Sequence, residues 1–321
     1  MTVIEAETVI ERRHLRRRLT LWRLLAVVLA VFFIALLATG NQRLAGSVSF
    51  LPHIARVSVS GLITDDQKML ELLDKVGKSS QVRAVILDVN SPGGTTTGGE
   101  AMYDAIRQLA EKKPVVAVCG TLATSAAYIV ALATDRIFVY GNTITGSVGV
   151  IFQWADVSEL MRTLGVKVEE IRSGPLKAVP NPFRPADEKA RALGEEMVQE
   201  AKVWFVDLVA KRRKIEPASV PGLTDGRVYS GRQAVELKLV DEIGDEKDAK
   251  RWLQKERAVA PGLSIVEWKP KTESGGVLSW LFGSIGPHLG ISAANFASLF
   301  GQVSEGLRLD GLVSLWHPAS S

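Results

Sequence analysis

Histidine is scarce in this chain: there are four, His14, His53, His288 and His317, and none lies between Arg56 and Leu278. That gap removes the usual base of a Ser-His or Cys-His pair from the middle of the sequence. It also removes the commonest transition-metal ligand. A single cysteine, Cys119, excludes an internal disulfide and a multi-cysteine zinc site. Cys119 stands in the apolar run Val115 to Cys119 and is expected to be a small buried strand residue. No metal or cofactor is expected. A concentrated basic face is also missing, since the net charge is only +4 and the basic residues are scattered, so nucleic acid is not an expected partner. Charge is absent altogether from Ser274 to Ser304, a stretch rich in Gly and Ser and broken by Pro287. A second transmembrane helix is not expected there. Leu278, Trp280, Phe282, Phe296 and Phe300 instead need a surface to cover, either their own domain or a membrane or neighbouring subunit.

What the front of the chain does have is a run of arginines, Arg12, Arg13, Arg16, Arg17, Arg18 and Arg23, before an uncharged stretch from Leu24 to Gln42. The apolar heart, Leu24 to Ala38, is near the lower limit for a spanning helix. Trp22 and Arg23 are placed to anchor it at the interface. A basic leader of this kind keeps the N-terminus in the cytoplasm and delivers the remainder outside. The small residues Ala38-Thr39-Gly40 also suit a cleaved signal peptide, but the leader is long for one. The expected organisation is a basic leader over residues 1–23, a transmembrane signal anchor over 24–42, a linker over 43–53, a catalytic-looking domain over 54–270 and an apolar Gly/Ser-rich tail over 271–321. His53 is expected to be an exposed linker histidine.

The body of the chain alternates between strand and helix patterns. Ile54 to Ser60 reads as a strand ended by Gly61, and Thr64-Asp65-Asp66-Gln67 as a capped helix start followed by Met69, Leu72, Leu73 and Val76 at helical spacing. A buried strand, Arg83 to Asn90, runs into a Ser-Pro-Gly-Gly loop and then a helix from Glu100 to Glu111. Further strands are expected at Val115–Cys119, Arg136–Tyr140 and Val166–Arg172, with helices at Ser125–Thr134, Ser158–Leu164 and Asp187–Lys214. Gly226 to Asp245 reads as a closing α/β element, Arg251–Lys255 as a last helix and Leu263–Trp268 as an edge strand. Successive strand–helix–strand crossovers build a mainly parallel sheet covered by helices. The basic run Lys211-Arg212-Arg213-Lys214 complements a helix C-terminus and otherwise reads as a solvated face.

Three small segments could carry chemistry. Ser91-Pro92-Gly93-Gly94 places glycine amides at a strand's carboxyl end, where open α/β folds hold their ligands. The same residues make ordinary turns. Ser125 follows a buried strand at the start of a helix, where backbone N–H groups favour developing negative charge. It could equally be no more than a helix cap. Lys177 lies in a Pro-rich, apolar-flanked loop from Ile171 to Phe183. In an apolar setting an ammonium loses hydration and its pKa falls, so the neutral amine could take a serine proton as histidine does elsewhere. A loop lysine is otherwise simply exposed.

Taken together these segments resemble the signal peptide peptidase A (SppA) family, in its short bacterial form, over roughly Ile54 to Leu253. Asn90 to Gly94 fits the family's glycine loop, Ser125 its nucleophile segment, Gly146-Ser147-Val148-Gly149-Val150 the segment after the next strand, and Ser173 to Lys177 its lysine segment. Asp225 to Ala234 also fits. The family's glycines after the serine are replaced here by Ala126-Ala127, small enough if the local φ is negative. The resemblance implies an α/β crotonase/Clp-protease-like fold with repeated ββα-type units, preceded by one transmembrane helix. It implies a membrane-anchored serine endopeptidase with a Ser125–Lys177 dyad, an oxyanion hole from the amides of Gly94 and Ala126, and supporting roles for Gly93 and Ser147. Its implied substrates are signal peptides left in the bacterial inner membrane, cleaved by an extracytoplasmic domain in contact with the lipid bilayer. It also implies a homo-oligomeric ring with the dyad shared between subunits. Two other readings stay open at this point: a crotonase-like binding or scaffold protein without catalysis, and a membrane protease of the kind paired with stomatin-like partners. The Clp protease itself is disfavoured by the missing histidine.

Overall fold

A computed structural model describes residues 22–26, 29, 51–270 and 313–315. The chain divides into two compact units, Met1–Phe50 and Leu51–Ser321. In the first, residues 22–26 and 29 are helical. The rest of the expected anchor, and the expected tail from Ser274 to Ser304, lie outside the described residues. Among the described residues no helix is long and apolar enough to cross a membrane.

Among the described residues the second unit has nine strands: β1 (His53–Ile63), β2 (Val82–Thr95), β3 (Val115–Thr124), β4 (Arg136–Val139), β5 (Ile144–Gly146), β6 (Val228–Ser230), β7 (Glu242–Ile243), β8 (Ser264–Trp268) and β9 (Val313–Leu315). Between them run α1 (Gln67–Lys78), α2 (Thr96–Ala110), α3 (Ala126–Leu132), α4 (Ser158–Thr163), α5 (Glu188–Arg213), α6 (Gly231–Glu236) and α7 (Glu246–Glu256). Strands β8, β1, β2, β3, β4 and β7 are neighbours in that order and all parallel. Alternate residues of each strand serve two cores. Val57, Val59, Val85, Leu87, Val89, Ala117 and Cys119 pack under α1, α2, α3 and α5. Ile54, Ala84, Ile86, Val116 and Val118 face the other way, towards Ala249 and Leu253 of α7. Burial on both faces is why the strands read as continuous apolar runs.

The first three strands are longer than the sequence pattern predicts. Gly61 does not end β1: at φ 71 it sits in a register shift between Ser60 and Leu62, and the strand goes on to pair Leu62 and Ile63 with Gly93 and Gly94. Likewise β2 shifts register at Val89–Ser91 and runs extended through Ser-Pro-Gly-Gly, and β3 reaches Thr124. Each strand therefore has a second, bent half before its helix, and β4 followed by β5 repeats the arrangement with a break. This is the ββα-type unit. The beyond-the-bend halves of β3, β5 and β6 pair separately, with β6 antiparallel to β5.

Two other expectations fail for physical reasons. Val166–Arg172 is not a strand, since it has no ladder partner within the described residues and every residue except Arg172 is exposed. His53 is not an exposed linker residue but fully buried. Trp268 Nε1–H donates to its Nε2 at 3.0 Å, which leaves Nδ1–H to donate to the Leu51 carbonyl at 2.8 Å. That pair of bonds orients the ring and joins the start of β1 to the end of β8.

Cys119 is buried as expected, and burial pushes its thiol from an ordinary 9.0 up to about 12. The folded chain thus keeps a proton that the unfolded chain gives up first as pH rises. The stabilising contribution is full below about pH 9 and lost as the pH climbs towards 12. Cys119→Ala should flatten the fall of Tm between pH 9 and 11 in a thermal-shift series, whereas an unchanged slope would assign that fall to other groups.

Candidate active site

The site forms where β2 and β3 separate. Their last pair is Ser91 with Ala123, and Thr124 Oγ1 donates to the Pro92 carbonyl at 3.0 Å. Beyond this point β2 continues as Gly93-Gly94-Thr95 into α2, capped by Thr95 Oγ1 accepting from Gly98 N–H at 3.1 Å. β3 instead ends at Ser125 and α3. A Cβ built on Gly99 would lie 3.2 Å from that of Ala126, so the two helix starts touch. Gly94 is glycine of necessity: a Cβ there would stand 1.8 Å from the Ile63 carbonyl oxygen. Gly93 has φ 113, open to glycine and few others.

Ser125 is 1% exposed and takes φ 59, ψ −121, a combination that costs a side-chain-bearing residue about 1–3 kcal/mol. It makes no side-chain capping bond to α3, so the capping role does not explain it. A strained serine at a sharp strand-to-helix turn is the geometry that presents a nucleophilic hydroxyl elsewhere. Two features hold it. Its own N–H donates to the Gly146 carbonyl at 2.8 Å, and α3, whose seven residues are all buried, locks the following chain in place. Helix residue Ala126 has a negative φ, so alanine satisfies the condition the sequence left open.

Support comes from further out than the sequence suggested. Arg212 Nε and Nη2 donate to the carbonyls of Leu132 and Thr134 at 2.7 and 2.8 Å, and Arg107 Nη1 to that of Ala133 at 2.8 Å. The carbonyls that end α3 are thereby satisfied, each worth about 1–3 kcal/mol if left buried and unpaired. Burial, then the nearby Arg107, lowers the Arg212 pKa. Arg213 pairs with Asp241 at 2.9 Å and is 13% exposed. The basic run read as a solvated face is thus half inward-facing, and nothing in its spacing betrayed that.

Ser147 follows Gly146, is 9% exposed and has φ 54, its N–H donating to the Arg227 carbonyl at 2.9 Å. The structure therefore gathers Gly93, Gly94, Ser125, Ala126 and Ser147 at one place. Lys177 is not among them. It is exposed, and its backbone N–H donates to the Gly174 carbonyl at 3.2 Å. From Ile151 to Lys189 no residue is buried, and Leu160, Leu164, Val166, Ile171, Leu176 and Phe183 are all exposed. The sequence also passed over β9, which lies against Gly93–Thr95. Its only advance signal is the apolar–polar–apolar triplet Val313-Ser314-Leu315. A polar cleft of about 540 Å³, lined by Ser58, Ser60, Asn90, Thr121, Tyr140 and Asn142, opens elsewhere and includes neither Gly94 nor Ser125.

The profile of Peptidase family S49 matches residues 107–260, and that of Clp protease residues 45–144. A putative signal peptide peptidase SppA of Enterococcus faecium is 34% identical over 257 residues, covering 75% of this chain and 73% of that protein. A putative protease of Methanocaldococcus jannaschii is 34% identical over 228 residues, 70% and 73% of the two chains. One of Synechocystis is 33% identical over 201 residues, 62% and 72%. The chain belongs to peptidase family S49, the SppA family. It is a protease of Clp-like α/β fold.

Two substitutions test the geometry. Ser125→Gly removes the φ penalty at a smaller cost in chain entropy, and should raise stability by about 1 kcal/mol, or 2–4 °C in Tm. An unchanged or lowered Tm would mean that the backbone is not strained there. Gly94→Ala should lose at least about 1–3 kcal/mol by denaturant titration, because a backbone atom cannot step aside. Gly174→Ala, with open space around it, should stay near neutral.

Proposed function

We propose that this protein is a membrane-anchored serine endopeptidase in which Ser125 is the nucleophile and Lys177 of a neighbouring copy is the base. The observation that carries the reading is the strained Ser125 buried beside Gly93 and Gly94, with no capping duty to explain it. A binding or scaffold protein would have no use for that strain. Ser125 Oγ attacks the peptide carbonyl as neutral Lys177 accepts its proton. The amides of Gly94 and Ala126 hold the oxyanion, each such donor typically worth about 100- to 1000-fold in rate. Collapse breaks the C–N bond, Lys177 returns the proton to the leaving amine, and water then cleaves the acyl-serine by the same steps in reverse. Ser147, next to the residue that holds Ser125, orients the lysine amine.

The segment from Ile151 to Lys189 supports the shared dyad. Among the described residues none of this segment is fully buried and Lys177 is exposed, so the water-poor setting a basic lysine needs is not supplied by the described part of its own chain. A second copy in a homo-oligomeric ring covers the exposed apolar residues and brings Lys177 to the Ser125 of its neighbour. The name of the Enterococcus faecium relative points to signal peptides as substrates. The arginine-rich leader and the apolar stretch at 24–42 support an anchor in the bacterial inner membrane, with the N-terminus cytoplasmic and the catalytic domain outside.

Ser125→Ala and Lys177→Ala should each abolish cleavage of a fluorogenic peptide without unfolding the chain. Mixed after dissociation and reassembly, the two inactive variants should regain activity, since some sites then combine an intact Ser125 with an intact Lys177. Full activity in either variant alone would overturn the dyad. A mixture that stays inactive would place both residues within one chain.

A further inference from the structure

Two helices leave the two walls of the site, α2 from Gly93-Gly94-Thr95 and α3 from Ser125. They touch where they start, since a Cβ on Gly99 would lie 3.2 Å from that of Ala126 and 3.4 Å from Ile129 Cδ1. They are joined again where α3 finishes, by Arg107 of α2 donating to the Ala133 carbonyl at 2.8 Å. Gly99 to Arg107 is about 12 Å of helix and Ala126 to Ala133 about 10 Å, so the two struts are tied at matching distances from the site. The carbonyls of Val130 and Ala131 are satisfied within the turn, by the N–H groups of Ala133 and Thr134. Those of Leu132 and Thr134 are reached from outside it, like that of Ala133, here by Arg212 of α5. Burial, Arg107 and Arg213 disfavour the Arg212 charge, while Tyr103 and Asp135 favour it. Two arginines thus share one helix end in spite of their repulsion.

We propose that Arg107, assisted by Arg212, is a positioning residue for peptide hydrolysis: by fixing the far end of α3 against α2 it keeps the Ala126 amide aligned with the Gly94 amide around one oxyanion. The proposal rests on the reading of Ser125 as nucleophile and of those two amides as donors. The near contact between Gly99 and Ala126 is a pivot, because apolar contacts carry no direction. With the far tie gone, a slip of about 1 Å there tilts a strut of about 10 Å by about 6°. The amide at its start turns with it, and both donors have to stand about 2.7–3.1 Å from the oxygen on which charge develops. Misplacement on this scale costs up to about 100-fold in rate, even when its origin lies far from the chemistry. The oxyanion forms only after the substrate is bound, so the loss falls on kcat and leaves KM in place.

The test compares Arg107→Met and Arg212→Met with Lys113→Met, each in the full chain. Lys113 holds the end of α1 as the arginines hold that of α3, its Nζ donating to the carbonyls of Val76 and Ser79. Its removal leaves helix-end carbonyls unpaired in the same way, on a helix that starts from neither donor. Rates are taken per folded chain, well below the Tm of each variant. Arg107→Met should lower kcat for a fluorogenic peptide about tenfold or more, with KM within about twofold. Inhibition by a peptide aldehyde, in which Ser125 Oγ bonds the aldehyde carbon and the carbonyl oxygen enters the oxyanion position, should weaken by the same factor. Arg212→Met should act in the same direction, and Lys113→Met should lower Tm while leaving kcat and the aldehyde constant unchanged. Arg107→Lys keeps a donor on a shorter arm and should fall between Arg107→Met and the unaltered protein; should Arg107→Met not fold, the same comparison is read from Arg107→Lys. Unchanged kcat at Arg107, an equal loss in Lys113→Met, or a fall in kcat without a change in the aldehyde constant would each overturn the proposal. Failure of the nucleophile reading looks different: Ser125→Ala then keeps its activity, whatever the arginine variants do.

Discussion

The 2.8 Å bond from Ser125 N–H to the Gly146 carbonyl joins the end of β3 to the end of β5 at the point where the chain turns into α3. It holds the nucleophile candidate in a conformation the serine would leave if released. Everything around it is arranged to make leaving impossible. Thr145 Oγ1 donates to the Ala123 carbonyl at 2.7 Å, and Tyr128 Oη, one turn into α3, to the Leu239 carbonyl at 2.6 Å. With the arginine contacts at its far end, the short helix is tied down along its length. The free energy for this comes from burying an all-apolar helix, a sequence that would be a liability anywhere but in a core.

The opposite side of the site is held by exclusion. Gly94 lets β1 and β2 close to a distance that a methyl group would forbid, and that closure brings the extended glycine segment level with Ser125. The separation of β2 from β3 follows from the same geometry: both strands bend, but β2 bends towards β1 and β3 towards β5. A groove results because two ladders pull apart, and it keeps a strand's spacing and hydrogen-bonding groups along one wall. This is a shape suited to a polypeptide. The polar cleft across Ser58, Asn90 and Tyr140 includes neither Gly94 nor Ser125.

Much of the sheet was legible in the sequence because two-sided burial writes long apolar runs, and helix α1 was legible from Leu72, Leu73 and Val76. The extent of the strands was not. Gly61 and Gly93-Gly94 carry the signals of a turn, and only a neighbouring backbone shows that they are bends within continuing strands. His53 could not be read because the partner that buries it, Trp268, is remote in the sequence. The position of Ser125 was visible from its neighbours, its backbone strain was not, and the inward turn of Arg212 had no periodic signature at all. Lys177 marks the other limit: its segment is apolar in composition, yet among the described residues it is nowhere fully buried.

The bonds at His53 have a mechanical meaning. β1 is flanked on both sides by parallel strands, and its first residue is paired with Val82 and Ser264 and locked to Trp268. Tension arriving along the chain through residue 50 therefore meets a strand that must slide against two neighbours at once. Hydrogen bonds loaded in that way share the force and fail together, whereas a strand peeled from an edge gives them up singly. The domain is built to be pulled on from its N-terminal side without coming apart.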